Sequence, residues 1–331
     1  MRENDLISKG PAKALRWLAL LFFFLALAFA AVAHFMGDQF YFRLATEALI
    51  FGGLALSVDL LLGCTGLLPL GQALFFGLGA YVSALLLKDW SNSFWFALAG
   101  ALLASALAGL IGGIIAIRSK GVYFALVSFG LAQVVSKIVF NTRELGASDG
   151  MIGVPVALLL PGLDSGNPAG FFLVTLACIS LLYLGLAYLL ETPLGRLLSA
   201  LRTNEHRVAF LGFDPWRYRL FAFVAAACIA GVSGALYPML RGFVSPELMF
   251  FQVSGNAVIN VIIGGTGTLI GPLYGAALLT LLRSLVGSFT VHHELVIGSL
   301  FVFVVILLPR GMIGYALTAL QRRFDARKES T

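Results

Sequence analysis

The sequence predicts an all-α, polytopic membrane protein with about ten transmembrane helices, and three observations carry that reading. Of the 331 residues, 60% are hydrophobic and only 11% are charged, whereas a soluble domain carries about 25% charged residues. Apolar runs follow one another at close to the ~20 residues that cross a bilayer core. Lysines and arginines gather in alternate connections between those runs, the asymmetry that orients membrane helices. The chain, 1–331, reads as a single transmembrane domain with no room for a sizeable soluble one. Its net charge of +6 resides in loops and tails, which argues for membrane orientation and against a nucleic-acid partner.

The predicted spans are 15–35, 43–63, 70–88, 93–117, 121–140, 169–190, 218–240, 249–265, 268–288 and 293–309. The first follows a polar segment, 1–14. Its Ala31-Val32-Ala33 resembles a signal-peptidase site, but the run is nearly bilayer length and another span follows at once, so a retained helix is expected. The second and third spans flank a glycine-rich turn at Gly63, Gly66 and Gly71. Between the fifth and sixth lies the longest outer connection, 141–168, large enough for a docking surface or a lid. The eighth and ninth are short enough to be re-entrant hairpins, and they too meet at glycines: Gly264, Gly265, Gly267 and Gly271. After the tenth comes a tail, 310–331, in which Arg322, Arg323, Arg327 and Lys328 face either lipid phosphates or solvent.

Orientation follows from counting. With both termini inside, the inner segments hold sixteen of the 22 Lys and Arg residues. Five of these, Arg196, Arg202, Arg207, Arg217 and Arg219, fall in 192–219, TPLGRLLSALRTNEHRVAFLGFDPWRYR, the only long basic polar stretch within the oily chain. Small and basic residues at helical spacing suit a short helix lying across the inner membrane face, within an inner loop at 192–217.

Two segments resemble each other as a weak internal repeat: 47–86 and 247–282 each open on a glutamate and reach a Gly–Thr–Gly turn. The register sets Gly63-x-Thr65-Gly66 against Gly264-Gly265-Thr266-Gly267. Glycine-interrupted segments in two halves mark a transport pathway or allow close helix packing. Polar side chains in or near spans are Asp59, Gln72, Gln133, Gln252, Asn256, Asn260 and Arg283. Each is expected to face protein or a water-filled cavity, either in an interhelical hydrogen bond or along a translocation pathway. Asp59 and Arg283 stand out because an ionised group there needs a partner.

Enzyme chemistry finds little support. His34, His206, His292 and His293 have no metal-ligand spacing, and Cys64, Cys178 and Cys228 read as small residues in apolar surroundings. No phosphate-binding loop is present, nor any Gly-Lys dipeptide. No metal or cofactor is expected, and if ATP drives the protein, another chain hydrolyses it.

At this point several blocks, in order, resemble a known family. They are DLLLGCTGLLPLGQALFFGLGAY at 59–81, GVYFALVSFGLAQ at 121–133, GASDGMIGVP at 146–155, TPLGRLLSALRTNE at 192–205, LGFDPWRYRLFAF at 211–223, AGVSGALY at 230–237, GFVSPE at 242–247 and VIIGGTGTLIGPLYGAALL at 261–279. Together they are similar to the longer permease subunit of the branched-chain amino acid ABC importers, over about 45–310. The resemblance implies a homologous second permease, two ATP-binding subunits that bind ATP and Mg, and a periplasmic binding protein. It places the chain in a bacterial inner membrane and implies that the long loop docks on the ATPase through Pro193, Gly195, Arg196, Ala200, Arg202, Asn204, Glu205 and Gly212. Asp59, Cys64, Pro69 and Gln72 depart from the family pattern, all in the first glycine-rich hairpin. They bear on the substrate, for which urea, amides or other amino acids are alternatives to leucine, isoleucine or valine. A stand-alone secondary transporter or channel is the rival of a different class.

Overall fold

The computed structural model describes residues 9–36, 38–160, 163–289, 295–296, 298–299, 301–302, 306 and 311–315. In chain order its helices are α1 (Lys9–Met36), α2 (Gln39–Asp59), α3 (Gln72–Asp89), α4 (Phe94–Ala116), α5 (Val122–Asn141) and α6 (Pro168–Glu191). They continue with α7 (Pro193–Thr203), α8 (Glu205–Phe210), α9 (Pro215–Arg241), α10 (Phe251–Gly264) and α11 (Gly271–Phe289). A π-helical turn, Leu60–Thr65, extends α2.

The chain punctuates these helices as local chemistry requires. Asp38, Asn167 and Asp214 each accept hydrogen bonds from backbone N–H groups of the turn that follows, satisfying donors that have no partner inside the helix. Pro168, Pro193 and Pro215 open α6, α7 and α9, at the first-turn position where a missing N–H costs nothing.

Among the described residues, six helices are long and apolar enough to cross a membrane: Leu15–Phe35, Gln39–Thr65, Phe94–Ala116, Val122–Asn141, Pro168–Glu191 and Pro215–Arg241. Six of the ten expected spans meet that measure among the described residues. The stretch expected at 70–88 is α3, with 18 residues and charges at its end. That expected at 249–265 is α10, whose 14 residues rise about 21 Å against a core of ~30 Å. Its partner at 268–288 is α11, and glycines at the junction between the two stop both helices. The span expected at 293–309 and the tail 310–331 lie, short fragments apart, outside the described residues, as do residues 1–8.

The core gathers around α9, which packs on α2, α3 and α4. Small residues bring these backbones together, as they do where lipid offers no hydrophobic drive for helix association. Ser83 donates its hydroxyl to the Ala235 carbonyl at 3.1 Å, and Gly79 lies directly against Gly231. Phe76, Phe124, Phe171, Phe172 and Phe223 fill the remaining space fully buried.

Two ends of the bundle are distinct. At one, Arg16 meets Glu191 at 2.6 Å, Lys120 meets Glu205 at 3.1 Å, and α7 and α8 run between α6 and α9. At the other, Glu47 meets Arg241 at 2.7 Å. There the connection 142–167 folds into short strands: β1 (Met151–Ile152), β2 (Leu158–Leu160) and β3 (Leu163–Asp164). β1 pairs antiparallel with β4 (Phe243–Val244), directly beyond α9, and β2 pairs with β3. Ser93 and Leu158 form a further bridge, so the long connection is tied to both α4 and α9.

The α3–α9 contact makes a test. A Cβ on Gly79 would stand 2.1 Å from the Gly231 carbonyl oxygen, so Gly79→Val should destabilise the purified protein by about 1–3 kcal/mol or more, as overpacking does. A melting temperature equal to the parent's would refute this packing.

Candidate functional site

The two glycine-rich junctions meet each other in space. The first is the π turn with Gly63, Cys64, Thr65 and Gly66; the second is the segment from Gly264 to Gly271 between α10 and α11. Asp59, fully buried, reaches across from the end of α2. Its Oδ1 accepts the Gly267 N–H at 2.6 Å and its Oδ2 accepts the Leu269 N–H at 3.0 Å. Leu269 is a non-glycine residue at φ 59°, a conformation that costs about 1–3 kcal/mol and persists only when its surroundings fix it. The carboxylate is one such constraint, and Thr268 adds others: its hydroxyl donates to the Gly265 carbonyl at 2.8 Å and accepts the Gly271 N–H at 3.0 Å.

Gly63 is required by proximity. A Cβ there would lie 2.5 Å from Asp59 Oδ1 and 2.6 Å from the Gly267 backbone. Gly66 ends the π turn in the left-handed conformation at φ 73°. Gly71 lies against the Ser128 carbonyl, and Gly264 against Gly271. Gly63 and Gly267, one from each half of the weak repeat, therefore meet in one contact surface.

Helix α7 attaches to this surface. It buries Gly195, Leu198 and Leu201, three residues apart and so on one face, and leaves Pro193, Arg196, Ala200 and Arg202 exposed in part of their surface. Arg202 Nη1 donates to the Gly63 carbonyl. Gly195 sits at the corner with α6, where a Cβ would stand 2.3 Å from the Leu190 Cα, so it shapes the bend. Asn204 caps α8 by accepting the Arg207 N–H at 3.1 Å.

Glu205 receives a bidentate pair from Arg219, at 3.0 and 3.1 Å, together with Lys120 at 3.1 Å. This joins α8 to α9 and to the α4–α5 turn. Partial burial raises the Glu205 carboxyl, but Lys120 and Arg219 outweigh it and hold the group below the usual carboxylate range. Beyond α8, Phe210 is 91% and Leu211 69% exposed, with Gly212 at φ 86°. Sequence reasoning overlooked Phe210 and Leu211. Their signal was the apolar run 208–213 inside an otherwise polar loop.

Away from this junction, a cavity of about 310 Å³ opens between α2, α9, α10 and α11, with Glu47, Arg241, Asn256, Asn260, Thr280 and Arg283 among its walls. Of the residues proposed for a pathway, Asn256 and Asn260 line this cavity; Asp59, Gln72 and Gln133 do not. Gln72 is buried at the start of α3 and neither atom of its amide has a hydrogen-bond partner among the described residues, while Gln133 is partly exposed on α5. Among the described residues no group of three or more His, Cys, Asp or Glu side chains is placed to hold a metal ion.

Two predictions follow from this geometry. Asp59→Leu strands two buried N–H groups, and loss of hydrogen bonds to a charged acceptor should cost about 1.5–3 kcal/mol each; Asp59→Asn, which keeps an acceptor, should melt between the two. Equal melting temperatures for all three proteins would refute the role given to Asp59. Because the Glu205 carboxyl is lowered, its contribution is present above the ordinary carboxylate range and lost as pH falls through the lowered value. The gap in melting temperature between parent and Glu205→Gln should therefore be open near neutrality and close on acidification. A gap independent of pH would refute it.

Comparison with known proteins bears on this arrangement. The family described as branched-chain amino acid transport system / permease component matches residues 40–308, which include both junctions, α7, α8 and the cavity. The high-affinity branched-chain amino acid transport system permease protein LivM of Salmonella typhimurium is 33% identical, over 88% of this chain and 74% of its own length. LivH of the same organism, bearing the same description, is 22% identical over 84% of this chain and 98% of its own length. The autoinducer 2 import system permease protein LsrC of Yersinia enterocolitica is 26% identical, over 78% and 73%. No solved structure matches the chain. The blocks singled out in the sequence, the apolar helices and the extent of the match agree: this multi-pass membrane protein belongs to the branched-chain amino acid transport permease family.

Proposed function

We propose that the chain is the transmembrane permease subunit of an ATP-binding-cassette importer, passing branched-chain amino acids from a periplasmic binding protein into the cytoplasm. The observation that carries this reading is the grip of Arg202 on the Gly63 carbonyl. A helix exposed at one end of the bundle is thereby fastened to the point where two glycine junctions interlock. Motion imposed on α7 by a soluble partner reaches the spans without passing through flexible chain.

In this reading two ATP-binding subunits, carrying ATP and Mg, dock on the exposed residues of α7 and α8 and on the Phe210–Leu211 tip. A homologous second permease completes the pathway; LivM and LivH, similar to this chain and named alike, support such a pairing. Nucleotide and loaded binding protein favour different permease states, and the bundle alternates between outward and inward openings as packed helices shift. The basic end, with Arg16, Lys120, Arg202 and Arg219, faces the cytoplasm in a bacterial inner membrane, and both termini lie on that side.

The name of LsrC shows that similar permeases serve other cargo, so the same mechanism with urea, an amide or another amino acid is the second reading. Uptake into proteoliposomes of the chain with its partners, using labelled leucine or urea with and without ATP and the binding protein, separates them. Leucine uptake requiring both supports the reading; uptake by this chain alone without ATP would overturn it in favour of a secondary transporter or channel.

The docking tip adds a sharper expectation. An exposed aromatic anchor at an interface carries about 2 kcal/mol or more, so Phe210→Asp should reduce co-purification of the ATPase subunits at least about tenfold. The second permease should still co-purify. Undiminished ATPase recovery would sink the docking assignment.

A further inference from the structure

A second cavity, of about 190 Å³, opens between α3, α4 and α5. Its walls include Ala108, Ile111, Gly112 and Ile115 of α4, with Leu131 and Val135 of α5. Ser128 supplies the one polar side chain among the described residues of the wall. Its hydroxyl is engaged, donating to the Ala125 carbonyl at 2.9 Å and accepting the Leu70 N–H at 3.2 Å. Glycine makes the space. Along α4, a Cβ at Gly109 would stand 2.6 Å from the Ala227 Cβ, and one at Gly113 2.7 Å from the Leu220 Cδ1, so close packing demands both. At Gly112 a Cβ would meet Phe75, Phe223 and Leu131 at 3.7, 3.8 and 3.9 Å, ordinary contact. Packing does not demand this glycine, and a helix interior disfavours it against alanine. Its effect is a gap over the Phe75 and Phe223 rings, which lie edge to face at 5.5 Å.

What fills the gap follows from where it lies. Both α4 and α5 are long and apolar enough to cross a membrane, and the groove runs along α4 from Ala108 almost to its end at Ala116. At 1.5 Å per residue that is ~12 Å, close to the depth of one leaflet in a ~30 Å core. The solvent there is hydrocarbon, and an apolar cavity of about 150 Å³ already admits a benzene-sized guest. Walls that face a void forfeit dispersion contacts, which a run of methylenes restores. The same end answers a head group. Arg118 follows Ile115 by three residues, through Ile117 in helical conformation, so it stands ~4.5 Å further along the same face. It is exposed and makes no ion pair or hydrogen bond among the described residues, whereas the neighbouring Lys120 is taken by Glu205. Tyr123, 74% exposed in the first turn of α5, offers the amphipathic ring that settles at head-group level.

We propose that the groove between α4 and α5 holds one acyl chain of an anionic phospholipid, with Arg118 on its phosphate. Basic residues beside a groove between spans suit such head groups. A partner helix, about 10 Å across with its side chains, covers the exposed rim at Ile111 but is too broad to enter a gap opened by one missing side chain. A methylene chain is narrow enough. Seated there, it touches α3, α4 and α5 and rests on Phe223 of α9, so the lipid braces the helices that surround the core. The inference does not depend on what the protein transports.

The test places the full chain, with its co-purified partners, in phosphatidylcholine vesicles carrying a small fraction of phosphatidylglycerol with a photoreactive acyl chain. Labelled residues are read by peptide mass spectrometry. Leu184, exposed on α6 at a similar distance from the same end, measures ordinary lipid contact. Ile111 and Leu131 should be labelled at least about fivefold more than Leu184, the weight of one cation near an anionic head group. Gly112→Leu, which fills the gap, should bring both to the Leu184 level. Arg118→Gln should lower them about fivefold and abolish the preference over photoreactive phosphatidylcholine. If Gly112→Leu fails to fold, Ala108→Leu decides in its place. Parent labelling at or below the Leu184 level, as when a protein partner closes the groove, overturns the site, and so does unchanged labelling in a folded gap-filling variant. Equal labelling of the parent by the two lipids overturns the pairing of Arg118 with an anionic head group.

Discussion

Asp59 and the two amides it receives hold the architecture together at its least regular point. Buried non-helical backbone persists only where protein or water satisfies its polar groups. The segment between α10 and α11 is such backbone, with left-handed residues at Gly267 and Leu269. A buried carboxylate is costly on its own; here the cost is offset because both oxygens accept from backbone groups that need an acceptor. The partnership also explains the crowding around it. Gly63 lets α2 approach closely enough for Asp59 to reach, and its carbonyl remains free to receive Arg202.

Electrostatics elsewhere follow the same economy of matched groups. Glu205 is shared between Arg219 and Lys120, so α8, α9 and the α4–α5 turn are bound at one acidic centre. The exposed Lys120 contributes little, but the buried, bidentate Arg219 guanidinium also fixes direction. The loop helices therefore approach the bundle at a defined angle, with Phe210 and Leu211 projecting away from it.

Much of this was legible in the chain. Hydropathy located the long helices within a few residues, because a bilayer imposes a length that composition reveals. The loop at 192–217 stood out because polar residues cannot hide in lipid, and the resemblance between 47–86 and 247–282 identified the segments that interlock. Other features needed coordinates. Hydropathy alone does not separate a full crossing from α10, which stops at glycine after 14 residues. Asp59 read as a charge in search of a pathway because its partners are backbone amides 208 and 210 positions away, and backbone donors leave no mark in sequence. The place of Gly195 against Leu190 at the corner of α6 was not legible, because a glycine does not declare which neighbour it accommodates. Periodicity correctly paired Asn256 with Asn260 but could not bring Arg283 and Glu47 to the same cavity.

The separation between Asp59 and its partners also has a consequence in time. Ribosomes add about 5–20 residues per second, so the 208 positions between Asp59 and Gly267 correspond to roughly 10–40 s of synthesis. Throughout that interval α2 is already made while the amides that complete it do not exist. A chain that stops before Gly267 leaves the Asp59 carboxylate without either amide. The segment between α10 and α11 thus completes a site begun at the end of α2.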